Sequence, residues 1–135
     1  MLFDDLMTAS FEYGACGPEK YDCFTLSREV LRRAGVNIPD WKSIQDVQLR
    51  ADEIDTKKAD YFIRVEKPEP FSIVTFKGMN NIHSSLVTHI GVVLQDAKTF
   101  IHIMQKRNVA IERLDSLTWS KKIDGFYKFN PDSAC

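Results

Sequence analysis

The strongest constraint on the fold is a change of hydrophobic period near Pro68 and Pro70, about halfway along the 135 residues. Before these prolines, apolar residues recur three or four positions apart, as they do on the buried face of an amphipathic helix. After them, short runs of β-branched and aromatic residues are separated by turn residues, as in strands. Helices followed by a series of strands predict an α+β fold with an antiparallel sheet, not alternating βαβ units.

Local signals place the predicted helices in the first half of the chain. Asp22 is a suitable N-cap for a helix that continues to Arg33, and Gly35 follows as a termination signal. A shorter helix is predicted over residues 2–10, and another from near Trp41. The apolar residues that predict this last helix are Ile44, Val47, Ala51 and Ile54.

Short segments after residue 70 have the composition of strands. We therefore expect N-terminal helices packed on a C-terminal antiparallel sheet of about five strands, in a single domain over residues 1–135. An open loop is expected over residues 78–85. The predicted strands are Phe71–Lys77, Thr88–Gln95, Thr99–Gln105, Val109–Leu114 and Ile123–Phe129.

Composition excludes several classes of function. The formal net charge is -1 and the pI is about 6.3, so no broad basic field predicts nucleic-acid binding. No apolar run approaches the roughly 18 residues of a membrane span, and the acidic N-terminal segment does not resemble a signal peptide. We therefore expect synthesis in the cytoplasm without a leader. The odd count of 3 cysteines favours reduced thiols over a disulfide framework.

Two histidines interrupt otherwise apolar predicted strands. His89 lies in Thr-His-Ile-Gly-Val-Val-Leu and His102 in Phe-Ile-His-Ile. They flank a turn around residues 95–98, and a loop with an even number of residues places both on one face of the sheet. The pattern therefore predicts two neighbouring imidazoles. The opposite, apolar face would carry Ile90, Val92, Ile101 and Ile103.

Cys23 lies at the predicted start of the helix that Asp22 caps. The positive end of a helix and a nearby imidazole both lower the pKa of a thiol, and the thiolate is the nucleophile. We hypothesise that the helix end and a protonated His89 hold Cys23 as a thiolate. A second polar residue, His102, would orient His89, which is the logic of a catalytic triad. These are the parts of a cysteine peptidase or amidase.

Alternatives stay open from the residues alone. A free cysteine is often a small buried hydrophobe, and a single strand histidine is often structural. Cys23, His89 and His102 could also belong to a zinc site, although Cys-x-x-Cys and His-Glu-x-x-His spacings are missing and a fourth ligand is needed. We expect no metal and no cofactor. Among the other candidates, Cys16 is predicted to be inert, His83 to be solvated and Cys135 to lie at a frayed chain end.

Several motifs resemble those of the NlpC-type family of papain-like cell-wall peptidases, and the resemblance runs from about Phe11 to Phe129. Family members show an Asp-Cys at a helix start, a Gly-Val/Ile-x-Ile/Leu-Pro helix end, a His-Val/Ile-Gly strand and a final Gly-Phe-Tyr strand. The matching segments here are Asp22-Cys23, Gly35-Val36-Asn37-Ile38-Pro39, His89-Ile90-Gly91 and Gly125-Phe126-Tyr127.

The resemblance implies a papain-like fold and a role for each candidate residue. Cys23 would be the nucleophile, His89 the general base and acid, and His102 the orienting residue. The implied reaction is hydrolysis of amide bonds in peptidoglycan stem peptides, commonly next to D-glutamate.

Three residues near the cysteine are candidates for substrate binding. Many family members carry a tyrosine upstream of the cysteine, and Phe11 occupies that register here, so Tyr13 or Tyr21 would have to supply its hydroxyl. Asp22 could bind a cationic amine of the substrate, or it could act only as the helix cap.

Other departures from the family pattern resemble its phage and prophage tail-associated branch. Phe24-Thr25 replaces the usual Ser-Gly, and the segment Val65-Glu66-Lys67-Pro68 precedes the first strand of the sheet, where Phe71-Ser72 replaces Gly-Asp. The resemblance implies delivery to the cell wall by a phage tail, with tail proteins as partners. The rival interpretations are a secreted antibacterial amidase effector and a catalytically inactive structural tail protein.

Overall fold

An antiparallel sheet lies at the centre of the computed structural model, which describes residues 3–39, 45–79 and 85–131. In chain order, the strands in these ranges are β1 (Ser10–Phe11), β2 (Lys20–Tyr21), β3 (Phe62–Val65), β4 (Ile73–Lys77), β5 (Val87–Val93), β6 (Thr99–His102), β7 (Ala110–Arg113) and β8 (Ile123–Phe129). Six of them form the main sheet in the order β3-β8-β4-β5-β6-β7, and β1 and β2 form a separate parallel pair.

Two α-helices pack against this sheet. Helix α1 spans Cys23–Arg33 and contacts β5 and β6, and helix α2 spans Val47–Tyr61 and contacts β3 and β5. Single turns of 3₁₀-helix cover Asp4–Leu6 and Ser120–Lys122. Helices on an antiparallel sheet confirm the predicted α+β class. No helix within the described ranges is long and apolar enough to cross a membrane.

The two faces of the sheet carry separate hydrophobic cores. One core contains the apolar side of α1 and, as predicted from strand alternation, Ile90, Val92, Ile101 and Ile103. The other core contains Phe76, Phe100 and Trp119. His89 and His102 both contact this second, aromatic core, so the apolar and histidine-bearing faces are divided as the sequence predicted.

Helix α1 begins at Cys23 because Asp22 caps it. The Asp22 side chain is buried, and its Oδ1 accepts hydrogen bonds from the backbone N–H groups of Phe24 and Thr25 at 2.9 and 2.8 Å. The Thr25 hydroxyl accepts a hydrogen bond from the Asp22 N–H, which completes a capping box. Oδ2 accepts a further bond from Gly14 N–H at 2.9 Å, so Asp22 also fixes the preceding loop.

Asp22→Ala is expected to lower the free energy of unfolding by about 2–4 kcal/mol, because it removes a cap and leaves buried N–H groups without an acceptor. Urea unfolding followed by circular dichroism measures the loss. The matched control is Asp46→Ala at the exposed cap of α2, where one bond to Leu49 N–H is lost and about 0.5–1 kcal/mol is expected. Equal losses in the two variants would contradict the additional role of Asp22.

Several predicted boundaries were wrong. The helix predicted over residues 2–10 is a single 3₁₀ turn that leads to β1, and α2 begins at Val47. The main sheet has six strands and not five, because β3 follows α2 directly and pairs with β8. Its four residues alternate too weakly in hydrophobicity to predict a strand. Predictions that fall outside the described residues concern Trp41, Ile44, most of the 78–85 loop, His83 and Cys135.

Candidate active site

Cys23 occupies the first position of α1 and is 4% exposed. The positive end of the helix dipole stabilises a negative charge at this place. Cys23 also lies on the wall of a cavity of about 230 Å³. The residues that line this catalytic cavity, as we call it below, are Phe11, Tyr13, Cys23, Arg50, Met79, Thr88, His89, Ile103, Met104 and Gln105.

His89 and His102 project from adjacent antiparallel strands and are hydrogen-bonded to each other. The Nε2 atom of His89 lies 2.8 Å from Nδ1 of His102. The register pairs Val92 with Ile101 and Val93 with Phe100, which places the two histidines diagonally on one face. The prediction that the two imidazoles are neighbours is therefore confirmed. Since Nε2 of His89 faces His102, Nδ1 is the ring nitrogen left to exchange a proton with a thiol.

An irregularity in β5 lies directly beside His89. Phe76 of β4 pairs with His89 and the next residue, Lys77, pairs with Val87, so Thr88 is an extra residue in the ladder. A bulge of this kind increases the local twist and redirects neighbouring side chains. Thr88 and His89 both line the catalytic cavity as a result of this local geometry.

Close packing explains why a glycine occupies the last position of the His-Ile-Gly motif. A Cβ atom at Gly91 would lie 3.0 Å from the Ile101 carbonyl oxygen, 3.1 Å from the Phe100 ring and 3.2 Å from Cβ of His102. Backbone and ring atoms at such distances cannot yield as the end of a flexible side chain can. Gly91 therefore lets His102 lie close to β5.

Gly91→Ala is expected to displace His102 and to lower the free energy of unfolding by about 1–3 kcal/mol through overpacking. Turnover should fall as well, because His102 would lose its alignment with His89. Gly125→Ala is a suitable control, since one of its close contacts at 3.3 Å is the flexible end of Arg64. Thermal unfolding and activity of both variants measure the effect, and a Gly91→Ala protein with wild-type stability and turnover would contradict this packing account.

Burial controls the protonation of both histidines. Burial, followed by electrostatic interactions with His102, Arg50 and Lys122, lowers the pKa of His89 well below its usual value. Burial also lowers the pKa of His102, and Glu112 opposes that shift. Burial and these neighbours favour a neutral His89 at rest over the protonated imidazole hypothesised from the sequence. Neutral His89 is suited to act as a base.

Two residues of the site were not predicted from the sequence. Arg50 of α2 is 6% exposed, lines the catalytic cavity and donates from Nε to the Thr88 carbonyl oxygen at 3.1 Å. Glu112 of β7 contacts Nε2 of His102 through Oε2. For both residues, the available signal in the sequence was a polar side chain within an otherwise apolar pattern. The residue that each of them contacts depends on long-range packing, which one sequence does not reveal.

The candidate substrate-binding residues have different positions. Tyr13 lines the catalytic cavity beside Phe11, and its hydroxyl oxygen accepts a hydrogen bond from Arg50 at 3.3 Å. Tyr21 is buried in the hydrophobic core and does not line that cavity, so its position does not support a substrate contact. The contacts of Asp22 account for a capping role, and its binding of a substrate amine stays a prediction.

Cys16 is exposed and does not line the catalytic cavity, and neither Cys16 nor Cys23 forms a disulfide bond with another described residue. Its predicted inertness is untested. Within residues 3–39, 45–79 and 85–131, no group of three or more histidine, cysteine, aspartate or glutamate side chains has an arrangement that could hold a metal ion.

Comparisons with known proteins identify a family profile and several structures that share the fold. A profile of the NlpC/P60 family matches residues 8–128. The fold is similar to that of an NLP/P60-family protein from Staphylococcus aureus subsp. aureus Mu50, which is described as similar to a lipoprotein. The two sequences are 20% identical, and the structures align with a TM-score of 0.59 over 94% of this chain and 39% of that chain.

Two proteins of Trichomonas vaginalis also share the fold. NlpC1 is 20% identical and aligns with a TM-score of 0.63 over 94% of this chain and 42% of its own length. NlpC2 is 16% identical and aligns with a TM-score of 0.65 over 96% of this chain and 44% of its own length. The chain therefore spans less than half the length of these three structural relatives. At such identities the likeness shows the fold alone. A search among curated proteins found no match.

Proposed function

Since the chain belongs to the NlpC/P60 family, whose members are generally cell-wall peptidases and amidases, we propose that it is a cysteine peptidase that hydrolyses amide bonds of peptidoglycan stem peptides. The observation that carries the proposal is that Cys23 and His89 line the same cavity, with His102 hydrogen-bonded to Nε2 of His89. A nucleophile, a base and an orienting group are the minimum set for acyl transfer.

The proposed first step is attack by Cys23 on the amide carbonyl carbon. Neutral His89 accepts the thiol proton at Nδ1, and the N-terminus of α1 stabilises the developing thiolate. Backbone N–H groups near Cys23 donate to the oxyanion of the tetrahedral intermediate. The S–C bond forms as the carbonyl π bond opens, so the negative charge moves from sulfur to oxygen.

The second half of the reaction returns the site to its starting state. His89, now protonated, donates its proton to the leaving amine as the C–N bond breaks, which leaves a thioester on Cys23. His89 then removes a proton from a water molecule that attacks the thioester. Collapse of that intermediate releases the carboxylic acid, and the proton returns to Cys23.

The direct experiment is incubation of the protein with purified muropeptides of several wall types and measurement of the fragment masses. Cleavage of an amide bond within the stem peptide, lost in Cys23→Ala, is the expected result. Intact muropeptides under all conditions would contradict the proposal.

The acid side of the pH profile is expected to have its midpoint below pH 6.5. His89 must be neutral to accept the thiol proton, and its pKa lies below the ordinary value of 6.5. As the pH falls, His89 therefore becomes protonated later than an exposed imidazole would, and kcat/KM persists into more acidic solution. Rates from pH 4.5 to 8 measure the midpoint, with Cys16→Ser as control. A midpoint at or above 6.5 would contradict the neutral-base mechanism.

We also propose delivery by a phage or prophage tail, as the Phe24-Thr25 and Val65–Pro68 segments favour. Phe24 is fully buried in the core beside Cys23, which accommodates an aromatic residue after the nucleophile. Mass spectrometry of purified tail particles should detect the protein if this assignment is right. Its absence from the tail, together with a neighbouring immunity gene, would favour the secreted effector.

An inactive structural tail protein is the second candidate, favoured by one observation. Phe11 lines the catalytic cavity in the register where many relatives have a tyrosine hydroxyl. Tyr13 brings a hydroxyl to the same wall, which favours an active enzyme. Muropeptide hydrolysis that depends on Cys23 separates the two.

A further inference from the structure

Three side chains from three successive strands of the sheet form a continuous line that ends at Glu112. His89 of β5 contacts His102 of β6 at 2.8 Å, and the other ring nitrogen of His102, Nε2, contacts Oε2 of Glu112 on β7. The register of β6 and β7 pairs Phe100 with Glu112 and His102 with Ala110, so Glu112 is diagonal to His102. His102 is 2% exposed, and both of its ring nitrogens have a partner.

We propose that Glu112 is a positioning residue of the active site, which fixes the tautomer of His102 and thereby the direction in which His89 can move a proton. The inference rests on the proposed function, because it assigns to Glu112 a part in the Cys23 chemistry. Glu112 does not line the catalytic cavity, so it acts through His102 and not on the substrate.

The argument follows from donor and acceptor roles. An ionised carboxylate only accepts hydrogen bonds, so Glu112 requires the neutral His102 ring to carry its proton on Nε2. Nδ1 of His102 is then an acceptor, and it can receive Nε2–H of His89. With its proton on Nε2, neutral His89 has a free lone pair on Nδ1, the nitrogen that must take the thiol proton.

Without the carboxylate, the opposite arrangement becomes accessible. His102 could carry its proton on Nδ1 and donate it to Nε2 of His89. Neutral His89 would then hold its own proton on Nδ1 and could not act as a base toward Cys23. A wrong tautomer of this kind impairs catalysis while the positions of the residues barely change.

The surrounding charges increase the importance of Glu112. Burial is the main cause of the lowered pKa of both histidines. Arg50 of α2 and Lys122 of the Ser120–Lys122 turn add to the shift at His89, and Arg107 of the β6–β7 loop adds to that at His102. Glu112 is the carboxylate that opposes these cations at His102. It therefore helps the histidine pair to accept the proton from Cys23 during attack.

A second cavity makes the proposal testable by chemical rescue. A space of about 230 Å³ is lined by His102, Arg107, Glu112 and Lys122, among others, and Glu112 is 36% exposed there. Glu112→Ala should enlarge this space beside Nε2 of His102. Formate is small enough to enter it, and the two cations favour an anion.

The primary readout is the tautomer of His102 in long-range ¹H–¹⁵N spectra of the imidazoles, which needs no substrate. We expect the proton on Nε2 in the wild type, on Nδ1 in Glu112→Ala, and on Nε2 again when formate is added. Glu112→Leu, which also lacks an acceptor, gives the same test if the alanine variant does not fold, and Asp115→Asn on the following turn is the charge-matched control. An unchanged His102 tautomer in folded Glu112→Ala or Glu112→Leu would overturn the proposal.

The kinetic readout separates positioning from stability. We expect Glu112→Ala to lower kcat about 10- to 100-fold with little change in KM, and formate to restore it saturably. Glu112→Gln should move the acid limb to lower pH, because the carboxylate no longer favours a protonated His102 beside His89. Wild-type kcat in Glu112→Ala would overturn the proposal. If the wild type cleaves no muropeptide, the proposed function fails, and the spectra still decide the role of Glu112.

Discussion

Replacing Cys23 with alanine is expected to reduce muropeptide hydrolysis by at least about 10³-fold, to the background rate. The thiol is the group that forms the covalent intermediate, and none of the other described residues that line the catalytic cavity has comparable nucleophilicity at neutral pH. Mass spectrometry of timed digests measures the remaining rate. Because an alanine fits the buried position without a new polar group, the fold should persist, which circular dichroism checks.

Cys16→Ala is the matched control for that experiment. Cys16 is an exposed thiol outside the catalytic cavity, so its removal should leave turnover unchanged. Full hydrolysis by Cys23→Ala would contradict the proposed nucleophile. Loss of activity in Cys16→Ala would indicate a role for Cys16 that its position does not suggest.

His89→Ala is expected to lower kcat by about 10²–10⁴-fold, because one residue provides general-base catalysis in attack and general-acid catalysis in departure of the amine. His102 moves no proton to or from the substrate, so its loss should leave more activity. His102→Asn should be milder than His102→Ala, since the asparagine carbonyl oxygen can still accept a hydrogen bond from Nε2–H of His89.

The order of these variants is the diagnostic result, and single-turnover rates measure it free of product release. His102→Ala with wild-type activity beside an inactive His89→Ala would identify a Cys–His dyad, in which His102 has only a structural part. Equal activities of His89→Ala and the wild type would remove His89 from the mechanism.

Short-range patterns predicted most of the fold. The Asp22 cap and Gly35 define α1 locally, and the alternation in β5 and β6 predicted which face carries His89 and His102. These features depend on hydrogen bonds and side-chain directions within a few residues, which a sequence records directly. The α+β class followed from the same patterns.

Features that depend on distant pairing could not be predicted. Strand β3 is defined by its pairing with β8, more than fifty residues later, and not by its own alternation. The extra residue at Thr88 is visible only once β4 and β5 are aligned. Glu112 reaches His102 because of the β6–β7 register, which the loop between them does not specify.

The rate at which iodoacetamide alkylates each cysteine tests the central claim most directly, since it reports on the nucleophilicity of Cys23 and its dependence on His89 without a substrate. Cys23 is 4% exposed and Cys16 is exposed, so access alone favours Cys16. The account predicts that Cys23 is nonetheless labelled faster near neutral pH, and that His89→Ala removes this advantage. Faster labelling of Cys16 in the wild type, with no change in His89→Ala, would contradict an activated Cys23.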